Sequence, residues 1–232
     1  MAVHGIKPLS VLFLLSVLVS CNQQDSKQVT TITDSAGMVS PVSDSGRVIG
    51  AKGPVDQKDS VRLTARDSVL LRIAENILVV IKARDFKKLS SFVHPVLGVR
   101  FSPYAYVNTA DSTVLSARQL ANPATLSEIV NWAAFAADDT SRIMSIRRYF
   151  DRFVYDKDFL HAENKSVNRF SSGGTDLNNI REAFPGADVV EFHFPGFDPL
   201  YEGMDFRTLR LVLKTEDTKT YLTGIVHAEW TP

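Results

Sequence analysis

The first regular pattern of apolar residues in this chain has the spacing of an amphipathic helix. Thr64 with Asp67 can cap the start of a helix, and Asp85 is placed to begin a short second helix that ends near Phe92, ahead of Pro95. The apolar stripe recurs at intervals of three and four residues and comprises Leu70, Leu71, Ala74, Ile77, Leu78 and Ile81. The pattern therefore predicts two helices at the start of the folded region.

The middle of the chain carries two further helical patterns. Thr125 and Glu128 form a capping box, ahead of apolar positions that continue to Ala137. A second helix is predicted from Ser141 to about Tyr155. It would turn the following side chains inward: Ile143, Ile146, Phe150 and Phe153.

The last third of the chain changes to a period of two, which is the spacing of β-strands. Three strands are predicted there, over Val189–Phe194, Arg207–Thr215 and Thr220–Thr231, with a turn at residues 216–219. Residues Val99–Val107 are also extended in character, and a short strand is predicted near Val167–Phe170. Helices first and antiparallel strands later indicate an α+β domain.

The N-terminal segment has the pattern of a bacterial export signal. His4 and Lys7 precede an apolar run from Leu9 to Val19 that only Ser10 and Ser16 interrupt. This run is too short for a membrane-spanning helix, which needs about 20 residues. We therefore expect residues 1–20 to be a signal peptide.

The apolar run ends in Leu18-Val19-Ser20-Cys21, and Cys21 is the only cysteine. These residues resemble the lipobox of bacterial lipoproteins. The resemblance implies cleavage before Cys21, a diacylglyceryl group on its thiol and acylation of the new amino group. It predicts a cell-envelope protein whose partner is membrane lipid, because two acyl chains hold a protein where one does so weakly. The alternative is an ordinary secretory signal with a chance cysteine near the cut.

Residues 21–60 predict a flexible tether. They are rich in Ser, Thr, Asp, Gln, Gly and Val, and no aromatic residue occurs between Cys21 and Phe86. Such a segment buries too little apolar area to offset its chain entropy, and a coil of about 40 residues spans roughly 35 Å. Residues 61–232 are then predicted to form a single α+β domain, large enough for a core without disulfides.

Charge and cysteine content exclude some classes of protein. The 232 residues include 26 basic and 26 acidic side chains without a basic run. Nucleic-acid binders depend on phosphate contacts, so we expect no nucleic-acid partner. A lone cysteine excludes an internal disulfide and a cysteine-based zinc site. Nothing in the sequence predicts a cofactor.

Two predicted strands carry the polar residues with the most chemistry. The alternation of Val189–Phe194 puts Glu191 and His193 on one face, and on the last strand His227 shares a face with Glu229. If these faces converge, the set can bind a divalent metal or serve in acid–base catalysis. Otherwise they are the solvent-facing side chains of half-exposed strands.

Four other residues are candidates for a site. Asp198 and Asp205, with Glu202 between them, crowd one loop, and clustered carboxylates suit Ca²⁺. Their spacing departs from the EF-hand pattern, however, and the prolines and glycines of the loop favour a structured turn. His94, which precedes Pro95, is either a catalytic imidazole or a residue that caps a turn.

Two resemblances extend over the predicted domain. The order of elements, N-terminal helices followed by strands, resembles the NTF2-like cone. The resemblance implies a curved antiparallel sheet around the first helix, with a pocket between sheet and helices that serves enzymes and binding modules alike. The segments HPVLGVRFSPYAYV (94–107), FPGADVVEFHFPGFDPLYEGMDFRTLRLV (184–212) and GIVHAEW (224–230) resemble a bacterial family of uncharacterised, often exported or lipid-anchored domains. The second resemblance implies no activity and no catalytic residue.

The sequence thus leaves two hypotheses for function. The first is a lipid-anchored envelope domain that binds a protein or a small molecule without catalysis, in keeping with the long tether and the balanced charge. The alternative is an envelope hydrolase or metal-dependent enzyme that uses Glu191, His193 and His227.

Overall fold

A computed structural model describes residues 63–132, 143–171 and 178–230, which belong to one compact unit. Its first two helices confirm the prediction. Helix α1 (Ala65–Lys82) begins at Thr64, and α2 (Phe86–Ser90) begins at Asp85, whose carboxylate accepts a backbone hydrogen bond from the helix. The apolar stripe of α1 is buried, apart from the half-buried Leu71. Capping and periodicity are local signals, which explains why they suffice here.

Over the residues that the structure describes, three further short helices follow: α3 (Ala117–Leu120), α4 (Ile146–Tyr149) and α5 (Ile180–Ala183). In the same ranges, eight strands form two sheets. Their bounds are β1 (Val99–Ser102), β2 (Val114–Leu115), β3 (Ile129–Asn131), β4 (Ile143–Ser145), β5 (Asn164–Val167), β6 (Asp188–Phe194), β7 (Arg207–Glu216) and β8 (Lys219–Glu229). The main sheet has the order β2-β1-β8-β7-β6-β5, and β3 pairs with β4 alone. The fold is therefore α+β, as predicted.

The main sheet is mixed, so the prediction of an antiparallel sheet is wrong for one pair of strands. β1 runs parallel to β8, whereas every other neighbouring pair in this sheet is antiparallel. A tight turn joins only antiparallel strands, and β1 and β8 lie far apart along the chain, so no turn sets their relative direction.

The predicted strands of the last third are confirmed in position. β6, β7 and β8 follow the period-two segments closely, with the tight turn between β7 and β8. Two earlier strands differ from the prediction. β5 begins upstream of the predicted segment Val167–Phe170 and ends at its first residue. β1 ends at Ser102, because Pro103 cannot donate a ladder hydrogen bond.

Both faces of the main sheet are buried. On the inner face, α1 packs against a core that includes Phe192 and Leu209. On the outer face, Val212 and Val226 form a smaller core with Ile180 of the short helix α5 (Ile180–Ala183). Alternate residues of one strand therefore enter two different cores.

The helix predicted after Thr125 is wrong over the described residues. Thr125–Ser127 forms one 3₁₀ turn without a side-chain cap, and β3 follows it directly. Trp132 stacks on Tyr149 at 3.7 Å between ring centroids and donates its indole N–H to the carbonyl of Met144. Tertiary packing here outweighs the local helix signal. The rest of the predicted helix, residues 133–137, lies outside the described residues.

The helix predicted from Ser141 begins later than expected. Ile143 lies in β4 and is exposed, whereas Ser145 caps α4 (Ile146–Tyr149). A π-helical turn over Phe150–Val154 continues α4. The other three side chains predicted to point inward are buried, so only the first turn of the prediction is wrong.

The predicted signal peptide, Cys21 and the predicted tether lie outside the described residues. Within the described ranges, no helix is both long enough and apolar enough to cross a membrane. The NTF2-like cone stays a prediction.

Candidate functional site

Four polar side chains are buried together on the outer face of the sheet, and we name them the outer cluster: Glu191, His193, Thr208 and Arg210. The register of β6 and β7 sets Glu191 opposite Arg210 and His193 opposite Thr208. The Nε of Arg210 lies 2.8 Å from Glu191 Oε2, and the backbone N–H of Ser171 donates to Glu191 Oε1 at 2.7 Å. The ion pair is 1–3% exposed, so it is shielded from water.

His193 is neutral at pH 7 in this environment. Burial lowers its pKa; the negative charge of Glu191 acts in the opposite direction, and the positive charge of Arg210 adds to the lowering. His193 Nδ1 lies 2.8 Å from the hydroxyl oxygen of Thr208. The outer cluster is thus a set of paired groups within the interior, except that Nη1 of Arg210 has no hydrogen-bond partner among the described residues.

A second polar group, of which one residue is fully buried and three are partly buried, lies on the inner face where β7 begins and β8 ends. We name it the inner cluster: Asp156, Arg207, His227 and Glu229. His227 is fully buried, and its Nε2 lies 3.6 Å from Asp156 Oδ1. Neither ring nitrogen of His227 has a hydrogen-bond partner within the described part of the chain. The imidazole packs edge-on against Phe153, at 5.5 Å between ring centroids.

Arginines neutralise both carboxylates of the inner cluster. Arg207 Nε lies 3.2 Å from Asp156 Oδ2 and 3.3 Å from Glu229 Oε2, and Arg152 donates to both oxygens of Glu229. Burial acts to raise the pKa of Asp156, but the contact with His227 and the charge of Arg207 outweigh it and lower that pKa. Two carboxylates and two guanidinium groups balance in charge.

Asp156, His227 and Glu229 are the residues that could hold a metal ion. One ligand atom from each lies within 4.8 Å of the others. Imidazole and carboxylate together suit zinc and similar divalent metals. A metal ion would have to compete with the arginines for both carboxylates, however. The geometry therefore favours an ion-paired structural cluster over a metal centre.

The predicted meeting of Glu191, His193 and His227 does not occur. Leu209 of β7 lies opposite both Phe192 and His227, so His227 belongs to the inner face, whereas Glu191 and His193 belong to the outer face. The alternative prediction of solvent-facing side chains is also wrong, because the three residues are 0–6% exposed. The physical reason is that both faces of the sheet are covered.

The loop of residues 195–206 is held in place by its own carboxylates. Asp205 Oδ2 accepts hydrogen bonds from the backbone N–H groups of Phe197 and Asp198, at 3.0 and 2.8 Å. Asp198 Oδ1 accepts one from the N–H of Leu200 at 2.9 Å. Both of these predicted calcium candidates thus order the backbone, which fits the structured-turn interpretation.

This loop and the end of β8 present large apolar side chains to solvent. We name the group the aromatic surface: Phe197, Leu200, Tyr201, Met204 and Trp230. Leu200 is 84% exposed, and the other four are 46–54% exposed. A shallow depression of about 420 Å³ lies between Tyr201, Met204 and Trp230, with Arg207 at its edge. Arg207 thus joins the aromatic surface to the inner cluster.

His94 holds a turn. Its Nδ1 accepts hydrogen bonds from the backbone N–H groups of Val96 and Leu97, at 3.1 and 3.0 Å. Its Nε2 lies 3.0 Å from Glu216, and this contact lowers the pKa of Glu216. The geometry matches the turn-capping interpretation of His94.

Sequence reasoning missed three important charged residues. Arg207 and Arg210 lie on opposite faces of β7, and a charge inside an otherwise leucine-rich strand is the signal that could have revealed them. Asp156 lies in a connection without a local pattern, and only the tertiary structure brings it to His227.

Comparison with protein-family models, with curated proteins and with solved structures gives no match for this chain. The resemblance to a bacterial family of exported domains stays a prediction. The geometry of the described residues is the basis for the function proposed below.

Proposed function

We propose that this protein is a lipid-anchored binding domain of the bacterial cell envelope that contacts a partner protein through the aromatic surface. The observation that carries the proposal is the grouping of five exposed apolar side chains on one loop and the adjacent strand end. Single exposed apolar residues are ordinary, whereas a contiguous group with a polar rim is typical of an interaction site.

The loop that bears these residues supports the proposal through its order. Asp198 and Asp205 fix the backbone on both sides of Pro199, so little conformational freedom remains to be lost on binding. Ordering of side chains and loops on association opposes affinity, and a preorganised loop avoids part of that cost.

The chemistry of the surface indicates the kind of partner. Tyr, Trp, Phe and Met are enriched at protein interfaces. Three carboxylates, those of Asp198, Glu202 and Asp205, border the apolar side chains. Two cations border them as well, because Arg207 lines the depression and Lys157 lies 4.3 Å from the centroid of an aromatic ring of this surface. Such a mixed rim suits a polypeptide with apolar and charged side chains.

The anchor explains how such a domain would work in the envelope. Acylation of Cys21 would hold the chain at a membrane, and the tether of residues 21–60 would let the domain reach a partner some distance away. Labelling of cells with a fatty acid tests the anchor. We expect label on the wild type and none on Cys21→Ser, and a labelled or membrane-bound variant would contradict it.

Site-specific photo-crosslinking in intact cells tests the binding surface. A photoreactive amino acid is placed at Leu200, and the control position is Val96, which is equally exposed at 85% against 84%. We expect a discrete crosslinked protein from position 200 and none from position 96. Equal crosslinking from both positions would contradict the proposal.

Binding by purified proteins then makes the test quantitative. Against the crosslinked partner, Leu200→Asp should weaken binding at least tenfold, about 1.4 kcal/mol, whereas Val96→Asp should leave it unchanged. An unchanged dissociation constant for Leu200→Asp would exclude the aromatic surface as the contact site.

The alternative, a hydrolase or metal-dependent enzyme that uses Glu191, His193 and His227, has less support. These residues lie on opposite faces of the sheet and are buried. A substrate cannot contact all three in this arrangement.

A further inference from the structure

A second depression lies on the outer face of the sheet and shares no residue with the aromatic surface or the two clusters. Its volume is about 260 Å³. Apolar walls come from Leu97, Phe184 and Pro185, and polar groups come from Arg100, Lys214 and Thr223. Pockets that combine an apolar lining with a few convergent polar groups are typical of small-molecule sites.

A missing side chain in β8 shapes this pocket. A Cβ atom at Gly224 would lie 2.6 Å from the ring of Phe184, so glycine is what allows that ring to pack on the strand. The pairing of β7 with β8 is irregular next to Gly224, at Val212/Leu213. As a result, no residue of β7 lies directly opposite Thr223. Gly224 also pairs with Arg100 of β1, which directs the guanidinium toward the same depression.

Arg100 carries a charge that no carboxylate of the described residues balances. Its guanidinium donates to the carbonyl of Thr109 at 3.0 Å and to the hydroxyl of Ser112 at 2.5 Å. Both acceptors are neutral, and no carboxylate among the described residues pairs with Arg100. Its side chain is half-buried, and burial lowers its pKa. A partly buried cation without a counter-ion is costly, so an anion in contact with it would be stabilised.

A second cation lies in the same pocket. Lys214 Nζ is 3.3 Å from Glu216, whose carboxylate is also 3.0 Å from His94. Glu216 therefore contacts both His94 and Lys214. Because its charge is divided between two partners, the ammonium of Lys214 can also contact a bound anion. Its side chain is 36% exposed and long enough to follow a bound group.

We infer that this pocket binds a small anion in which a carboxylate or phosphate group is joined to a compact apolar body. Arg100 and Lys214 would bind the oxyanion, and Phe184 with Pro185 would contact the apolar part. Pockets for drug-sized ligands have volumes of about 300–1,000 Å³. A pocket slightly below that range fits a ring or a short chain. This site is separate from the proposed partner surface, and its failure would leave that proposal intact.

Titration of the full chain in non-ionic detergent tests the inference. The probes are phenyl phosphate and benzoate, and the neutral comparison is benzyl alcohol, with dissociation constants measured by ligand-observed NMR. We expect at least one of the two anions to bind roughly tenfold more tightly than benzyl alcohol, because hydrogen bonds to charged groups exceed neutral ones. Equal affinity for the anions and the alcohol would overturn the inference.

Variants assign the binding to the pocket. Arg100→Gln should weaken anion binding roughly tenfold, and Lys214→Gln should weaken it by a smaller factor. Arg72→Gln is the control, because Arg72 is exposed on α1, which packs on the inner face. Thermal melting checks that each variant folds. If Arg100→Gln does not fold, the anion affinity of Lys214→Gln and the comparison with benzyl alcohol test the inference instead. Unchanged anion affinity in the folded pocket variants would overturn the inference.

Discussion

The outer and inner clusters lie on opposite faces of one sheet, and their polar groups are paired in different ways. Among the described residues, Glu191 of the outer cluster has one cationic partner, Arg210. Glu229 of the inner cluster contacts two arginines, whereas His227 has no hydrogen bond within reach. The difference shows that burial alone does not decide how much a polar residue contributes to stability. The contribution also depends on whether the groups in contact with that residue keep other partners when the residue is removed.

The largest effect on stability is expected when the ion pair of the outer cluster is broken. Arg210→Met leaves Glu191 charged and buried without its cation, and we expect the free energy of unfolding to fall by about 3–5 kcal/mol. Chemical denaturation measures this change. The double variant Glu191→Leu/Arg210→Met removes both charges and should recover most of the loss. A cost below about 1 kcal/mol for Arg210→Met would show that the pair is not coupled.

The next effect compares the two buried histidines. His193→Leu leaves the hydroxyl of Thr208 without its partner and should cost about 1–3 kcal/mol. His227→Leu removes a ring without hydrogen bonds among the described residues. Its contact with Asp156 is lost, but Arg207 remains 3.2 Å from that carboxylate, so the cost should stay within about 1 kcal/mol. Thermal and chemical denaturation of the two variants give the comparison. A larger cost at His227 would reverse our account of the clusters.

A smaller effect tests the redundancy of the inner cluster. Arg152→Gln removes one cation from Glu229, but Arg207 remains 3.3 Å from the same carboxylate. Because Arg152 is also 44% exposed, we expect a loss of about 0.2–1 kcal/mol. Denaturation of this variant beside Arg210→Met gives the contrast directly. Equal losses would mean that the second arginine does not compensate.

The smallest expected effect is a pH dependence that comes from His193. Its pKa is lowered in the folded state, first by burial, so the unfolded chain binds a proton more readily. The stabilisation is present above the ordinary histidine pKa of about 6.5 and is lost as the pH falls from there through the folded pKa. Melting temperatures between about pH 7 and pH 5 measure it. His193→Leu should reduce this slope, and an identical slope would assign the effect to other groups.

Local signals were enough for some elements and misleading for others. The capping box at Thr64 begins α1, and the same kind of pattern at Thr125 begins no helix over the described residues. The difference lies in contacts distant along the chain. α1 buries a continuous apolar stripe against the sheet, whereas Trp132 and β3 are held by β4 and Tyr149. Packing decides between two acceptable local structures.

The candidate site was predictable only in part. Alternation within β6 correctly put Glu191 and His193 on one face. It did not reveal that Arg210 lies opposite, because pairing between strands depends on register. Exposed apolar side chains of the aromatic surface, such as Leu200, could not be told from core residues, because exposure is a property of the folded chain.

By itself, the sequence determined the α+β class, the start of α1, the positions of the three strands of the last third and the residues that share a face within each of those strands. It also predicts the lipid anchor at Cys21. Only the tertiary structure decided that His193 and His227 enter different cores and that both faces of the sheet are covered. The physical reason is that a period of two is a property of one strand. The register between strands and the segments packed over them come from contacts distant in sequence.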